Sequence, residues 1–165
     1  VLPQLAENEL LKRGVMTDEL LYCVKADLDG EGGYVDVYIT FTKDTLCILR
    51  GYEEYGKMKR GQKRKNLVSF TVSGYDEYPI DSIEEMFVDR YANSARLMIK
   101  DKSGKEFPIA RFSLGFADKF EKFSQRVNCT AKNEPIDDRL LEGVKTHCPA
   151  VSLILTLTAL SVRDV

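Results

Sequence analysis

Between Ser113 and Asn128 four large apolar residues, Phe116, Phe120, Phe123 and Val127, recur at intervals of four, three and four, the spacing that stacks side chains on one face of an α-helix. Asp118, Lys119, Glu121, Lys122 and Gln125 fill the opposite face with polar groups. A stripe of this size is costly to leave in water, at about 25 cal/mol per Å² of apolar surface. The segment therefore requires a receiver, and whatever the preceding residues build must present an apolar opening to it.

The preceding residues read as strands. Leu20–Asp29 and Tyr34–Lys43 flank Gly30-Glu31-Gly32-Gly33, a hairpin signal. In the second run Val35, Val37, Ile39 and Phe41 alternate with Tyr34, Asp36, Tyr38 and Thr40, which predicts a half-buried strand with one inner face. Thr45–Gly51, Leu67–Ser73, a run from Ile80 to Tyr91, Arg96–Lys100 and Lys105–Phe112 complete seven strands at intervals of about ten residues, followed by the helix. This order predicts a mainly β domain, a seven-stranded antiparallel barrel or sandwich capped by a C-terminal α-helix, with Val37, Ile39, Val88 and Ile99 inside. Gly74–Tyr78 reads as a polar break. Ahead of the strands, Pro3–Arg13 predicts a short helix with Leu2, Ala6 and Leu10 on one face, either docked or free, and marginal unless it packs. The expected organisation is a helical arm over residues 1–16, the β domain over 17–130 and a poorly specified tail over 131–165.

With 165 residues, 44% of them apolar, one well-buried domain is expected. A net charge of -2 gives no global attraction to nucleic acid, so any electrostatic partner must meet a local patch. That patch lies in the run Tyr52–Asn66, which lacks apolar periodicity and predicts a long mobile loop. Lys57, Lys59, Arg60, Lys63, Arg64 and Lys65 put six cations into nine positions, with Gly56 and Gly61 as breaks and Glu53 and Glu54 upstream as partial neutralisers. These six residues form the anion-binding site expected from the sequence. Tyr52 and Tyr55 flank them, but a net acidic chain without Trp lacks the aromatic platform of a nucleic-acid binder, and no nucleic-acid partner is expected.

No catalytic constellation, metal set or cofactor motif stands out, and no enzyme activity is expected. The single His147 adjoins Cys148, yet adjacent side chains diverge and a zinc site requires four ligands. Asp27, Asp29 and Glu31 alternate like calcium ligands, but the pattern fails at Val35 and Asp36, which makes them hairpin polarity. Gly30–Gly33 precedes a strand, not a helix, so it is no dinucleotide loop. Cys23, Cys47, Cys129 and Cys148 are scattered without a C-x-x-C pair, and no apolar leader follows a basic start, which points to reduced thiols in a cytoplasmic setting. In the tail, Asp137–Val144 predicts a short helix. The longest apolar run, Val151–Val162, falls short of the ~20 residues a membrane span needs, and its Val151–Leu160 part, with no charge before Arg163, is expected to be disordered, or to pair with an edge strand or with a second copy in a homodimer.

Asp18-Glu19-Leu20-Leu21-Tyr22, Val37-Tyr38-Ile39-Thr40-Phe41, Tyr78-Pro79-Ile80-Asp81-Ser82-Ile83-Glu84-Glu85 and the segment Leu97–Phe107 with its Ser103-Gly104-Lys105-Glu106 turn resemble bacterial members of the pleckstrin-homology-like group over Asp18–Asn128. The resemblance implies a seven-strand, one-helix fold, and little about ligand. The opening Leu2–Glu7 with Asp18–Gly32 also resembles the cytoplasmic N-terminal extension of clostridial-type ATP-binding-cassette exporters. In that family a Cys-x-x-Cys ribbon follows, whereas here Val151 stands where the second Cys belongs, so no metal is expected and the tail reads as that of a truncated or frame-shifted relative. The resemblance implies a non-catalytic cytoplasmic binding or regulatory module associated with an exporter and working through a protein partner. The alternative implied by the basic loop is an anionic-lipid-binding domain, membrane-peripheral at the inner face.

Overall fold

The computed structural model describes residues 2–136. The predicted helix Asp137–Val144, His147, Cys148 and the Val151–Leu160 run lie outside the described residues. Seven antiparallel strands follow a first helix and precede a last one: α1 (Gln4–Lys12), β1 (Tyr22–Asp29), β2 (Tyr34–Phe41), β3 (Thr45–Tyr55), β4 (Leu67–Pro79), β5 (Ile83–Arg90), β6 (Ser94–Asp101), β7 (Glu106–Ser113) and α2 (Ala117–Ala131). The sheet order is β4-β3-β2-β1-β7-β6-β5. The predicted mainly β class and strand count hold. The ring is not closed, however, because β4 and β5 are the two edges and do not pair.

Two meanders meet at β1. Its pairing with β2 runs from Tyr22↔Phe41 to Leu28↔Tyr34, but it meets β7 only at Leu28↔Arg111 and Asp29↔Ala110. The inner side chains of both meanders, among them Ile39, Phe41, Ile48, Met86, Leu97 and Ile109, share one buried cluster with Phe120, Phe123 and Val127 of α2. The sheet thus curls around a core that the helix closes. Phe123 meets Phe41 edge to face at 5.4 Å, and Phe120 stacks on Phe112 at 3.7 Å between ring centroids. Val37, Ile39 and Ile99 are buried as expected, with Val88 partly buried against the cluster. On edge strand β5 the Met86 amide donates to Asn128 Oδ1 at 2.7 Å, and Asn128 Nδ2 donates back to the Met86 carbonyl at 2.9 Å. One side chain of α2 thereby occupies backbone groups that an open edge leaves available to another chain.

Three expectations need correction. Phe116 is not on the buried stripe: it ends a 3₁₀ turn, Leu114–Phe116, before α2 begins, so helical spacing does not govern its direction, and 57% of it is exposed. From Val37 onward β2 is covered on both faces and not half-buried, because α1 and the turn after it lie on the outer face, where Ala6, Leu10 and Val15 bury Tyr38, Cys47 and Leu49 in a second cluster, while Tyr34 at the start of the strand stays exposed. This docking resolves the alternative left for the N-terminal helix. Thr40, also buried, donates its hydroxyl to the Tyr22 carbonyl at 2.7 Å, so its polar group is satisfied.

The third correction concerns β3 and β4, which run on through Tyr55 and through Gly74–Tyr78, segments whose polarity suggested a loop and a break. Their ladder extends from Thr45↔Pro79 to Tyr55↔Leu67. The polar residues are tolerated because this is an edge hairpin with water beside it, and Arg50 forms an ion pair with Asp76 across the two strands. At Gly51 a Cβ would come within 2.5 Å of the Phe70 ring and 2.6 Å of the Thr71 carbonyl, so only glycine allows Phe70 to lie across the strand there.

Candidate functional site

The long hairpin carries the six cations out to its tip. The Gly56 amide donates to the Asn66 carbonyl at 2.9 Å and closes the base of a loop shorter than the predicted Tyr52–Asn66. Within it the Gln62 amide donates to the Lys59 carbonyl at 3.0 Å, and the Gln62 side chain accepts from the Lys59 amide at 3.0 Å. Gly61 sits at φ +90° in this turn, a conformation that favours glycine. A tight reversal therefore holds the backbone while every side chain of Lys57, Lys59, Arg60, Lys63, Arg64 and Lys65 is exposed. Among the described residues none of the six forms an ion pair.

The two glutamates expected to neutralise the loop are engaged elsewhere. Glu54 accepts the Ser69 hydroxyl at 2.8 Å, across the hairpin. Glu53 points to the outer face of the sheet, where only 2% of its side chain is exposed and Lys25 Nζ lies 2.6 Å from Oε2. Tyr38 and Tyr55 donate their hydroxyls to the same carboxylate. Asp36 binds both ends of the arrangement, accepting the Glu53 amide at 3.0 Å and pairing with Lys25 at 2.9 Å. Burial pushes the Glu53 carboxyl up, but hydrogen bonds from Lys25, Tyr38 and Tyr55 outweigh it and hold the group below its ordinary value. Lys25 shows the mirror image: burial opposes its charge, while Glu53 and Asp36 more than offset this and raise it.

This network is structural, and its pH signature follows from linkage. A carboxyl with a lowered folded pKa contributes stability above its ordinary value of 4.5 and loses that contribution as pH falls below it through the folded value. Glu53→Gln is therefore expected to flatten the decline of the urea midpoint between about pH 5 and about pH 3, relative to the parent chain. An unchanged slope would show that the carboxyl is not held this way.

Of the apolar residues around the tip, Tyr52 and Tyr55 were visible as flanks of the cations, whereas charge counting missed Met58 and Val68. Met58 sits inside the cationic run with 59% exposure, and Tyr52, Tyr55 and Val68 near the base of the loop are each more than half exposed. Met58 was legible as the one large apolar residue of the Lys57–Lys65 run. Its direction was not, because that depends on the hairpin. Cys23 is half-buried and Cys47 and Cys129 are buried, all as free thiols, and burial pushes the Cys23 thiol up to about 11, which disfavours a nucleophilic thiolate. Asp29 accepts the Gly33 and Glu31 amides at 2.8 and 3.0 Å, the turn role expected of it. No group of three or more His, Cys, Asp or Glu is placed to hold a metal ion among the described residues. Nor is any described helix long and apolar enough to cross a membrane. Comparison with family models, curated proteins and solved structures returned no match.

Proposed function

We propose that this chain is a non-catalytic binding module of pleckstrin-homology-like fold whose β3–β4 hairpin tip docks on an anionic lipid surface. One observation carries the reading: the six cations are presented together, exposed and without an ion pair among the described residues, while the nearby glutamates are tied into the sheet. Each cation close to an anionic leaflet contributes about 1 kcal/mol, and the interaction fades within a Debye length of about 10 Å at 0.1 M salt. A tip that projects from the sheet meets this distance requirement better than cations spread over the face of the sheet. Met58 among the cations supplies an apolar group that can enter the interface as they approach the headgroups. The strand order and the closing helix support the fold group. The resemblance of the N-terminal segment to an exporter extension supports a regulatory role at the cytoplasmic face, where anionic lipid is abundant.

Co-sedimentation with lipid vesicles tests this reading. The chain is expected to bind vesicles containing phosphatidylglycerol and to ignore pure phosphatidylcholine. Binding should disappear near 1 M salt, where the Debye length is about 3 Å. Equal binding to both vesicle types, or binding indifferent to salt, would refute a lipid contact made by the charged tip.

A further inference from the structure

Because β1 and β7 share only two register positions, an opening remains between them beside the first turn of α2. Its volume is about 250 Å³, and Ala26, Leu28, Phe112 and Phe120 contribute apolar surface to its lining. Two large aromatic side chains also line it while standing mostly in water, Tyr34 at 87% exposure and Phe116 at 57%. The cavity falls below the ~300–1,000 Å³ of a typical metabolite site, so it suits one bulky apolar side chain better than a whole small molecule.

Two of the cations that line it, Arg111 and Lys119, stand without an ion pair among the described residues. Arg111 Nε donates to the Gly30 carbonyl at 3.2 Å, which fixes the stem of that side chain beside the groove. The one acidic residue in the lining, Asp27, lies 3.9 Å from Lys25, which Glu53 and Asp36 hold more closely at 2.6 and 2.9 Å, so Arg111 and Lys119 outnumber it at the opening. We infer that this groove is a protein-docking site for an acidic segment that inserts a single bulky apolar side chain between Tyr34 and Phe116. Aromatic anchors and Arg in a partly formed pocket are the chemistry that dominates such contacts, and the cations select the flanking acids. The groove belongs to β1, β7 and α2 and shares no residue with the hairpin tip, so the two sites are independently testable.

An acidic peptide would also adhere to the tip, so the test uses the full chain carrying Lys59→Ala, Arg60→Ala, Lys63→Ala and Arg64→Ala. The probe is a short fluorescein-labelled peptide of glutamates flanking one phenylalanine, with two counterparts that replace the phenylalanine by alanine or the glutamates by lysine. Saturable binding of the first probe is expected, at least about tenfold tighter than either counterpart, a difference of about 1.4 kcal/mol. The amide resonances of Leu28, Phe116 and Lys119 should shift on titration. Phe116→Ser and Lys119→Glu, both at exposed positions and so compatible with folding, should each abolish the preference. No saturable binding, equal affinity for the phenylalanine and alanine probes, or a preference that survives both substitutions would overturn the inference. Self-association removed by Phe116→Ser would also overturn it, because the occupant would then be a second copy. None of these outcomes bears on vesicle binding by the tip.

Discussion

Phe120→Asp is expected to abolish cooperative folding. Phe120 is 1% exposed, stacks on Phe112, and shares its cluster with residues of both meanders. Removing the ring costs about 3–5 kcal/mol through lost transfer energy and a residual cavity. A carboxylate in the same place adds a desolvation penalty with no cation in the cluster to offset it. Against a total stability of about 5–15 kcal/mol for a domain of this kind, the sum is enough to unfold it. The same change one helical turn earlier, Phe116→Asp, should leave the thermal transition nearly unchanged, because Phe116 stands outside α2 and in water. Circular dichroism melts of the two variants distinguish a helix closing a core from a helix lying on a surface. A cooperative melt of Phe120→Asp at the parent temperature would refute the closure.

The contrast between Phe116 and Phe120 also shows what the amino-acid sequence reveals of this fold and what it withholds. Helical period identified three of the four residues on the stripe, but periodicity cannot locate the residue where the helix begins, and Phe116 falls one position before that boundary. Strand alternation found β2 and the buried Val37 and Ile39 because one face is apolar along its whole length. It stopped short on β3 after Gly51, where Tyr52, Glu53 and Glu54 follow, and on β4 at Gly74–Tyr78, which carries Asp76 and Glu77 at the other end of the ladder. Cross-strand pairing sustains the ladder at both places: Tyr52, Glu53 and Glu54 face Thr71, Phe70 and Ser69, while Asp76 and Glu77 face the buried Ile48 and Cys47. The apolar face of α1 was visible in Leu2, Ala6 and Leu10, whereas its receiver, Tyr38, Cys47 and Leu49, is assembled from two strands far off in the chain.

The candidate site divides in the same way. Its six cations are a local property of composition and were legible at once. Their lack of counter-ions among the described residues is a tertiary property. Glu53 lies four residues before Lys57 in sequence, yet the outer face of the sheet turns it toward Lys25, which no count of neighbouring charges reveals. The β1–β7 opening is likewise invisible in sequence, since it arises from how few residues the two strands share.

Changing Lys59, Arg60, Lys63 and Arg64 together to alanine is expected to have the largest effect on binding. At about 1 kcal/mol for each cation held near an anionic surface, the four contribute about 4 kcal/mol, or about 10³-fold in partition. The fold should not notice. All four side chains are exposed and make no ion pair among the described residues, the turn that holds Lys59 uses backbone groups and Gln62, and surface substitutions of this kind fall within about 0.5 kcal/mol each. Partition of this variant onto phosphatidylglycerol vesicles, measured beside the parent chain at about 0.1 M salt, is the most direct test of the tip as the binding site. An unaltered melt with partition reduced by about 10³ is the predicted result, and an unaltered melt with unaltered partition would contradict it.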